Sequence, residues 1–228
     1  MKNLVRKFAD NTISTSPAVK MRRERFAFFL NLLSQVPKPV RILDIGGTQT
    51  FWETMECVDD KDLHITLLNL KAEKIAYRNF SSIAGDATNL VGIADDAYDI
   101  VFSNSVIEHV GDLTQQQMMA SEIQRVGRRY FVQTPNYFFP IEPHFLFPGF
   151  QWLPITARVF LLRHFELGWK SKTPDRDRAK SIVESIRLLR KNELVSLFPG
   201  AKIYEEKLWV FIKSFIVYDG WQVGPRAR

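Results

Sequence analysis

The chain alternates between short apolar runs and segments with helical periodicity. Runs rich in Val, Ile, Leu and Phe predict strands at 40–45, 63–70, 80–84, 98–103 and 129–133. The segment 113–126, with apolar residues at helical spacing, separates the last two runs. Because helical segments lie between the strands, the pattern predicts right-handed βαβ units in an α/β fold with a doubly wound, mostly parallel sheet.

Further elements are predicted on both sides of this core. A helix is expected from about 17 to 36, with one apolar face. The residues on that face are Phe26, Phe29, Leu30 and Leu33. Apolar residues near 202–207 and 215–218 predict two closing strands, which brings the expected sheet to seven strands.

An aromatic and Pro-rich segment, 137–170, follows the fifth strand and predicts an insertion over the carboxyl edge of the sheet. Its rings are expected to form a second core, line an apolar pocket or rest on a membrane surface beside a basic helix at 179–190. We expect a single domain. Its parts are an N-terminal helical cap (1–39), a cofactor-binding core (40–136), a substrate lid (137–190) and closing strands (191–228).

Candidate ligand-binding residues follow the predicted strands. Asp44, Gly46 and Gly47 end the first strand, where glycine lets the backbone turn tightly and approach a ligand. Asn69 ends the second strand and Gly85-Asp86-Ala87 ends the third. In open α/β sheets ligands bind outside the carboxyl ends of the strands, so these residues are expected to share one site.

The order of these motifs, followed by Ser-Val-Ile-Glu-His-Val at 105–110, resembles the class I S-adenosylmethionine-dependent methyltransferases. The resemblance implies a Rossmann-like fold with S-adenosylmethionine as the cofactor. It also implies that Asp44 faces the methionine ammonium, that Asp86 and Ala87 bind adenine, and that Arg22 or Arg25 reaches the methionine carboxylate. The cofactor residues expected from the resemblance are Arg22, Asp44, Gly46, Gly47, Thr48, Asn69, Leu70, Asp86, Ala87, Ser103, Asn104 and His109.

Three positions depart from the family's pattern. Thr48 and Thr50 stand where the family's loop has its later glycines, and Asn69 stands where the family usually has an acidic residue for the ribose. A dinucleotide needs the second glycine for its pyrophosphate. S-adenosylmethionine has no phosphate, so Thr48 favours it over NAD. Asn69 retains one acceptor for a ribose hydroxyl but loses a charge-assisted contact.

Methyl transfer to a hydroxyl requires a base. We expect His144 or His109 to be that base, with Glu142 orienting it, since Pro-Ile-Glu-Pro-His lies after the fifth strand and His109 follows the fourth. The alternative interpretation is that Glu142 and His144 only pack a Pro-rich lid and that His109 only orders its loop. His64 and His164 are expected to be structural or surface residues. No carboxylate cluster indicates a metal site, so none is expected.

Composition limits the class of protein and its partners. The chain has 228 residues, a net charge of +6 and the single cysteine Cys57, which is typical of a reducing, cytoplasmic compartment. The positive charge is concentrated at 20–25 and 176–191. These stretches are interpreted as solvated helix faces or as a contact for anionic surfaces. Their Lys and Arg residues do not alternate with aromatic ones, so nucleic acid is a disfavoured partner.

The function predicted from the sequence is O-methylation of a small-molecule, glycan or secondary-metabolite acceptor. The alternatives that remain are an RNA methyltransferase, an NAD-dependent dehydrogenase and a non-catalytic cofactor-binding subunit.

Overall fold

A seven-stranded sheet forms the centre of the protein, whose residues 16–221 are described by a computed structural model. The expectations for 1–15 and for positions after 221 lie outside the described residues. The strands of the sheet are β1 (Val40–Ile45), β2 (Leu63–Asn69), β3 (Phe80–Ala84), β4 (Ile100–Asn104), β5 (Tyr130–Pro135), β8 (Lys202–Leu208) and β9 (Phe211–Asp219). Their order is β3-β2-β1-β4-β5-β9-β8, with β9 antiparallel to both β5 and β8. The predicted α/β class and mostly parallel sheet are confirmed.

Helices cover both faces of this sheet. The helices that cover the sheet are α1 (Pro17–Leu33), α2 (Gln49–Thr54), α3 (Leu113–Val126) and α6 (Lys191–Leu197), while α4 (Ile155–His164) and α5 (Arg176–Glu184) belong to the insertion after β5. One core lies between the sheet and α3 and α6, and a second lies between the sheet and α1 and α2. Because both faces are covered, β5 is buried at every position.

Helix α1 begins at Pro17 after the capping hydroxyl of Ser16 and ends at Leu33, earlier than predicted. Phe26 and Phe29 are buried as expected, but Leu30 is exposed and Leu32 is buried instead. The face that contacts the sheet is therefore rotated relative to the predicted one.

The helix predicted at 179–190 is wrong in its bounds. Helix α5 ends at Glu184, and the chain then runs extended to α6. Long-range backbone contacts account for this: Leu189 forms a β-bridge with Asn136, and the N–H of Arg187 donates to the carbonyl of Glu108 at 2.8 Å. These contacts replace the hydrogen bonds that another helical turn would provide.

The insertion after β5 has a small core of its own. It contains the hairpin of β6 (Ile141–Glu142) and β7 (Phe147–Pro148), together with α4 and α5. Phe145 and Phe150 stack at 4.1 Å in this core. Other aromatic side chains of the insertion are exposed, namely Phe138, Trp152, Phe160, Phe165 and Trp169. Within residues 16–221 no helix has the length and apolar character to cross a membrane.

A buried ion pair joins α1 to the far edge of the sheet. The Arg25 guanidinium donates from Nε and Nη2 to the two carboxylate oxygens of Glu206, at 2.8 and 2.7 Å. Its Nη1 donates to Oδ1 of Asn104 at 2.6 Å, and the hydroxyl of Ser214 also donates to Glu206. The Arg25 and Glu206 side chains are only 9% and 6% exposed. Each of the three nitrogens of the Arg25 guanidinium therefore already donates one hydrogen bond within the fold.

We expect Arg25→Met to lower the free energy of unfolding by about 3 to 5 kcal/mol, because it leaves the Glu206 carboxylate buried without its partner. The double variant Arg25→Met/Glu206→Met removes both charges and is expected to recover much of that loss. Urea unfolding of the two variants and the parent measures both values. A double variant that is as unstable as the single one would contradict this account.

Candidate functional site

The site lies where the strand order reverses, at the carboxyl ends of β1 and β4. Gly46 turns the chain after β1 with a φ of +73°, a conformation that favours glycine. A Cβ atom at Gly46 would lie 2.4 Å from Cγ2 of Val106, which belongs to the loop after β4. The loops that follow the two strands are therefore in direct contact.

Asp44 is buried beneath this turn. Its Oδ2 accepts a hydrogen bond from Nε1 of Trp52 at 2.7 Å, and only 1% of the residue is exposed. A Cβ atom at Gly47 would lie 1.7 Å from the same oxygen, so glycine is required there. Burial raises the pKa of Asp44 to about 7. The carboxylate supports the loop from below, and its contact with a methionine ammonium stays a prediction.

The departures from the family pattern have local explanations. Thr48 has an extended backbone and caps α2, its hydroxyl accepting from the N–H of Phe51, so no glycine is needed. Asn69 donates from Nδ2 to the carbonyl of Gly47 at 2.9 Å. A carboxylate at position 69 could not donate this bond. Asn69 therefore holds the loop after β1 and keeps Oδ1 as an acceptor.

The other predicted cofactor residues lie on the same edge with different exposures. Leu70 is 81% exposed after β2, and Asp86 is exposed after β3. Oδ1 of Asp86 accepts from the N–H and the hydroxyl of Thr88, which lowers the pKa of Asp86. Ala87 and Ser103 are buried. Asp86 thus presents an ionised carboxylate at the surface.

Arg22 is the arginine that remains for an anionic ligand, since Arg25 is engaged by Glu206. Arg22 lines a small cleft with Phe51 and Asn104, and within residues 16–221 it has no carboxylate partner. Burial and the neighbouring Arg25 lower the pKa of Arg22. A bound carboxylate would offset this electrostatic cost.

The structure brings His144, Glu142 and His109 together. Nδ1 of His144 lies 2.7 Å from Oε1 of Glu142, whose Oε2 accepts from the backbone N–H groups of His144 and Phe145, each at 2.7 Å. The rings of His109 and His144 pack edge to face at 4.8 Å. Part of the His109 side chain is exposed, but desolvation of the ring where it packs against its neighbours lowers the pKa of His109 to about 4, and the nearby His144 adds to this effect. His64 and His164 lie exposed on β2 and α4.

Glu108 is a member of this cluster that the sequence reasoning missed. It is fully buried in a 3₁₀ turn after β4, and its Oε2 accepts from the hydroxyl of Thr134 at 3.0 Å. Its Oε1 lies 4.0 Å from Nε2 of His144. Burial raises the pKa of Glu108 to about 7. The one signal in the sequence was an acidic residue next to His109 at the end of a strand.

A cavity of about 560 Å³ opens beside the cluster. Glu142 contributes to its wall, as do the rings of Tyr137, Phe145 and Phe150. The basic residues of the wall include Arg158, whose Nε is buried without an acceptor among the described residues, and Arg190, which lies 4.7 Å above the Tyr137 ring. Apolar walls with a few polar groups are typical of small-molecule sites.

Comparisons with known proteins bear on the family and the fold of the chain. Residues 44–130 match a family model described as "Methyltransferase domain". Over 72 residues the chain is 38% identical to an uncharacterized protein of Mycobacterium tuberculosis, a match that covers 32% of this chain and 24% of that protein. The match thus spans about a quarter of the length of that curated relative.

Two solved structures have a similar fold. A SAM-dependent methyltransferase from Aquifex aeolicus aligns with a TM-score of 0.51 at 10% identity and covers 96% of this chain and 97% of its own. A SAM-dependent methyltransferase from Methanosarcina mazei aligns with a TM-score of 0.52 at 13% identity and covers 82% of this chain and 95% of its own.

The burial of Asp44 predicts how the free energy of unfolding depends on pH. Below about pH 4 both the folded and the unfolded chain hold this proton. Between about pH 4 and pH 7 the unfolded chain releases the proton while the folded protein keeps it. The parent therefore loses stability relative to Asp44→Asn as pH rises through this window. Above about pH 7 the difference in unfolding free energy between the two proteins stays constant. We expect the difference to grow by on the order of 2 to 4 kcal/mol across this window.

Urea unfolding of the parent and of Asp44→Asn at several pH values between 4 and 8 measures this difference. Asp86→Asn is the matched control, because Asp86 is exposed and its pKa is lowered. A difference between parent and Asp44→Asn that does not change with pH would show that Asp44 is ionised throughout.

Proposed function

We propose that this chain, which belongs to the class I S-adenosylmethionine-dependent methyltransferases through its domain at 44–130, transfers a methyl group from S-adenosylmethionine to an oxygen atom of a small-molecule acceptor. One observation carries the proposal. Val106, which packs on the glycine turn after β1, stands two residues before Glu108, which adjoins the Glu142–His144 pair at the 560 Å³ cavity. The cofactor edge and a small-molecule cavity thus meet at one loop.

The residues at the carboxyl edge fit the cofactor. The glycine turn admits a ligand close to the backbone. Arg22, which has no carboxylate partner among residues 16–221, offers its guanidinium to the methionine carboxylate, and Asp86 offers a carboxylate oxygen to the adenine amino group. Leu70 supplies an exposed apolar side chain beside the expected adenine position. The cofactor supplies a methyl group activated by its sulfonium, so the chain has to orient the acceptor and remove a proton.

In this proposal the acceptor occupies the cavity that Glu142, the hydrogen-bond partner of His144, helps to line. Glu142 fixes the His144 ring through Nδ1, which leaves Nε2 as the nitrogen that receives the hydroxyl proton. The cofactor, when bound, would supply the methyl group and leave as S-adenosylhomocysteine, and His144 would release the acceptor's proton to solvent afterwards. Tyr137, Phe145 and Phe150 exclude water and hold an apolar acceptor by contact.

We expect S-adenosylhomocysteine to bind the full chain, and Arg22→Met to weaken that binding roughly 10- to 100-fold, because a charge-assisted contact to the amino-acid carboxylate is lost. Arg23→Met is the matched control, since Arg23 is exposed on the same helix and is expected to keep the parent's affinity. Isothermal titration calorimetry measures the three dissociation constants, with NAD and RNA as competing ligands. The cofactor assignment fails if S-adenosylhomocysteine does not bind.

We expect His144→Ala to lower the rate of methyl transfer roughly 10²- to 10⁴-fold through loss of the proton acceptor. His164→Ala is expected to keep the parent's rate, because His164 is exposed on α4. Transfer of labelled methyl groups from S-adenosylmethionine to a panel of phenols, sugars and total RNA identifies the acceptor class and supplies the assay. Label found only in RNA would overturn the small-molecule proposal.

A further inference from the structure

The carboxylate of Glu108 has one oxygen that nothing in the described residues satisfies. Glu108 is fully buried, and while Oε2 accepts from Thr134, Oε1 has no hydrogen-bond donor within residues 16–221. A buried carboxylate oxygen without a partner is expensive, so native proteins rarely keep one without a ligand or a proton to satisfy it.

The atom that faces this oxygen is the free nitrogen of His144. Because Glu142 accepts at Nδ1, the neutral imidazole carries its proton there, and Nε2 presents a lone pair. Nε2 lies 4.0 Å from Oε1 of Glu108, which is too far for a hydrogen bond. Two ligands each about 2.0–2.2 Å from one metal ion lie at most about 4.4 Å apart. The gap between the two lone pairs therefore has the width that a metal ion needs.

His109 supplies a third ligand atom on the same side. Its ring, Glu108 and His144 each offer one donor atom, and the three atoms lie within 4.8 Å of one another. Binding of one ion would therefore draw the widest pair together by up to about 0.4 Å to reach the limit of about 4.4 Å. The three residues come from the 3₁₀ turn after β4 and the hairpin of the insertion. Two imidazole nitrogens and one carboxylate oxygen are a donor set that suits zinc and other first-row divalent ions, whereas calcium and magnesium favour oxygen alone.

Each of these three side chains is held by a second polar group. Glu142 accepts at Nδ1 of His144, the backbone of Ser185 is hydrogen-bonded to the His109 ring, and the Thr134 hydroxyl donates to Glu108. Partners of this kind orient metal ligands and fix the histidine tautomer. A general base at His144 would need only the contact with Glu142, whereas a metal site uses the polar contacts of all three side chains.

We infer that Glu108, His109 and His144 bind one divalent transition-metal ion, and that three protein ligands leave at least one coordination position open. The role of the ion rests on the proposed function, although its binding does not. An acceptor hydroxyl bound at the open position loses its proton to water more readily, because the ion lowers its pKa. In the metal-free protein Nε2 of His144 receives that proton; with the ion bound, the same nitrogen is a ligand.

Calorimetric titration of the full chain, stripped with a chelator and freed of any histidine tag, tests the inference with Zn²⁺, Co²⁺, Mn²⁺ and Mg²⁺. We expect one equivalent of Zn²⁺ or Co²⁺ per chain. We expect at least 10-fold weaker binding in His144→Ala and in His109→Ala, and 10- to 100-fold weaker binding in Glu142→Gln. His64→Ala and His164→Ala are the matched controls and are expected to bind as the parent does. Visible absorption of the Co²⁺ form reports imidazole coordination independently of activity.

The inference is overturned if the parent binds no equivalent of these ions, or if the His109→Ala and His144→Ala variants bind them as the parent does. His109 is exposed, so its variant is expected to fold even if His144→Ala does not, and circular dichroism checks both. S-adenosylhomocysteine binding measured in the presence of chelator separates the two proposals. Loss of that binding counts against the proposed function alone, and its presence without metal binding counts against the metal site alone.

Discussion

Two carboxylates are kept out of water at the carboxyl edge of the sheet, and much of the local sequence is arranged to permit this. Asp44 lies beneath the turn after β1, and Glu108 lies beneath the insertion. Burial raises the pKa of each to about 7. Such burial costs stability, so it persists where neighbours compensate or function requires it. Trp52 donates a hydrogen bond to Asp44, and Gly47 leaves room for its carboxyl group. The Thr134 hydroxyl donates to one of the two carboxylate oxygens of Glu108.

The elements that were predicted well are those whose signal is local. The strands of the parallel core are short apolar runs between turns, and 80–84 and 113–126 have the predicted bounds. The βαβ pattern predicts a mostly parallel sheet with right-handed crossovers, while the strand order and the antiparallel direction of β9 are known from the structure. The seven-stranded sheet could therefore be expected from the sequence.

The features that were missed depend on partners far away in the chain. The extended segment after Glu184 is held by backbone contacts with Asn136 and Glu108. These contacts with distant residues leave no periodic pattern in the sequence. Glu108 itself meets Thr134 across 26 positions and His144 further along, so nothing near it in the sequence marks it as part of a cluster. Local propensity yields to such contacts when they bury and satisfy backbone groups.

The apparent defects in the cofactor motif have the same kind of explanation. Thr48 caps a helix and Asn69 donates to a loop carbonyl, so each replaces a family residue with one that rigidifies the turn over Asp44. A non-catalytic descendant would be expected to lose the cluster at His144 along with the motif. Here Glu142 is buried, orients the partly buried His144 ring and contributes to the wall of a cavity.

Glu108 joins the insertion to the core and also belongs to the histidine cluster. The carbonyl of Glu108 accepts from Arg187, and Gln116 donates to the carbonyls of Ile107 and Arg187, each at 2.9 Å. The side chain of Glu108 faces His144, while its backbone anchors the cavity wall that contains Arg187. Val106 of the same loop packs on the glycine turn. One short loop after β4 thus links the glycine turn, the histidine cluster and the cavity.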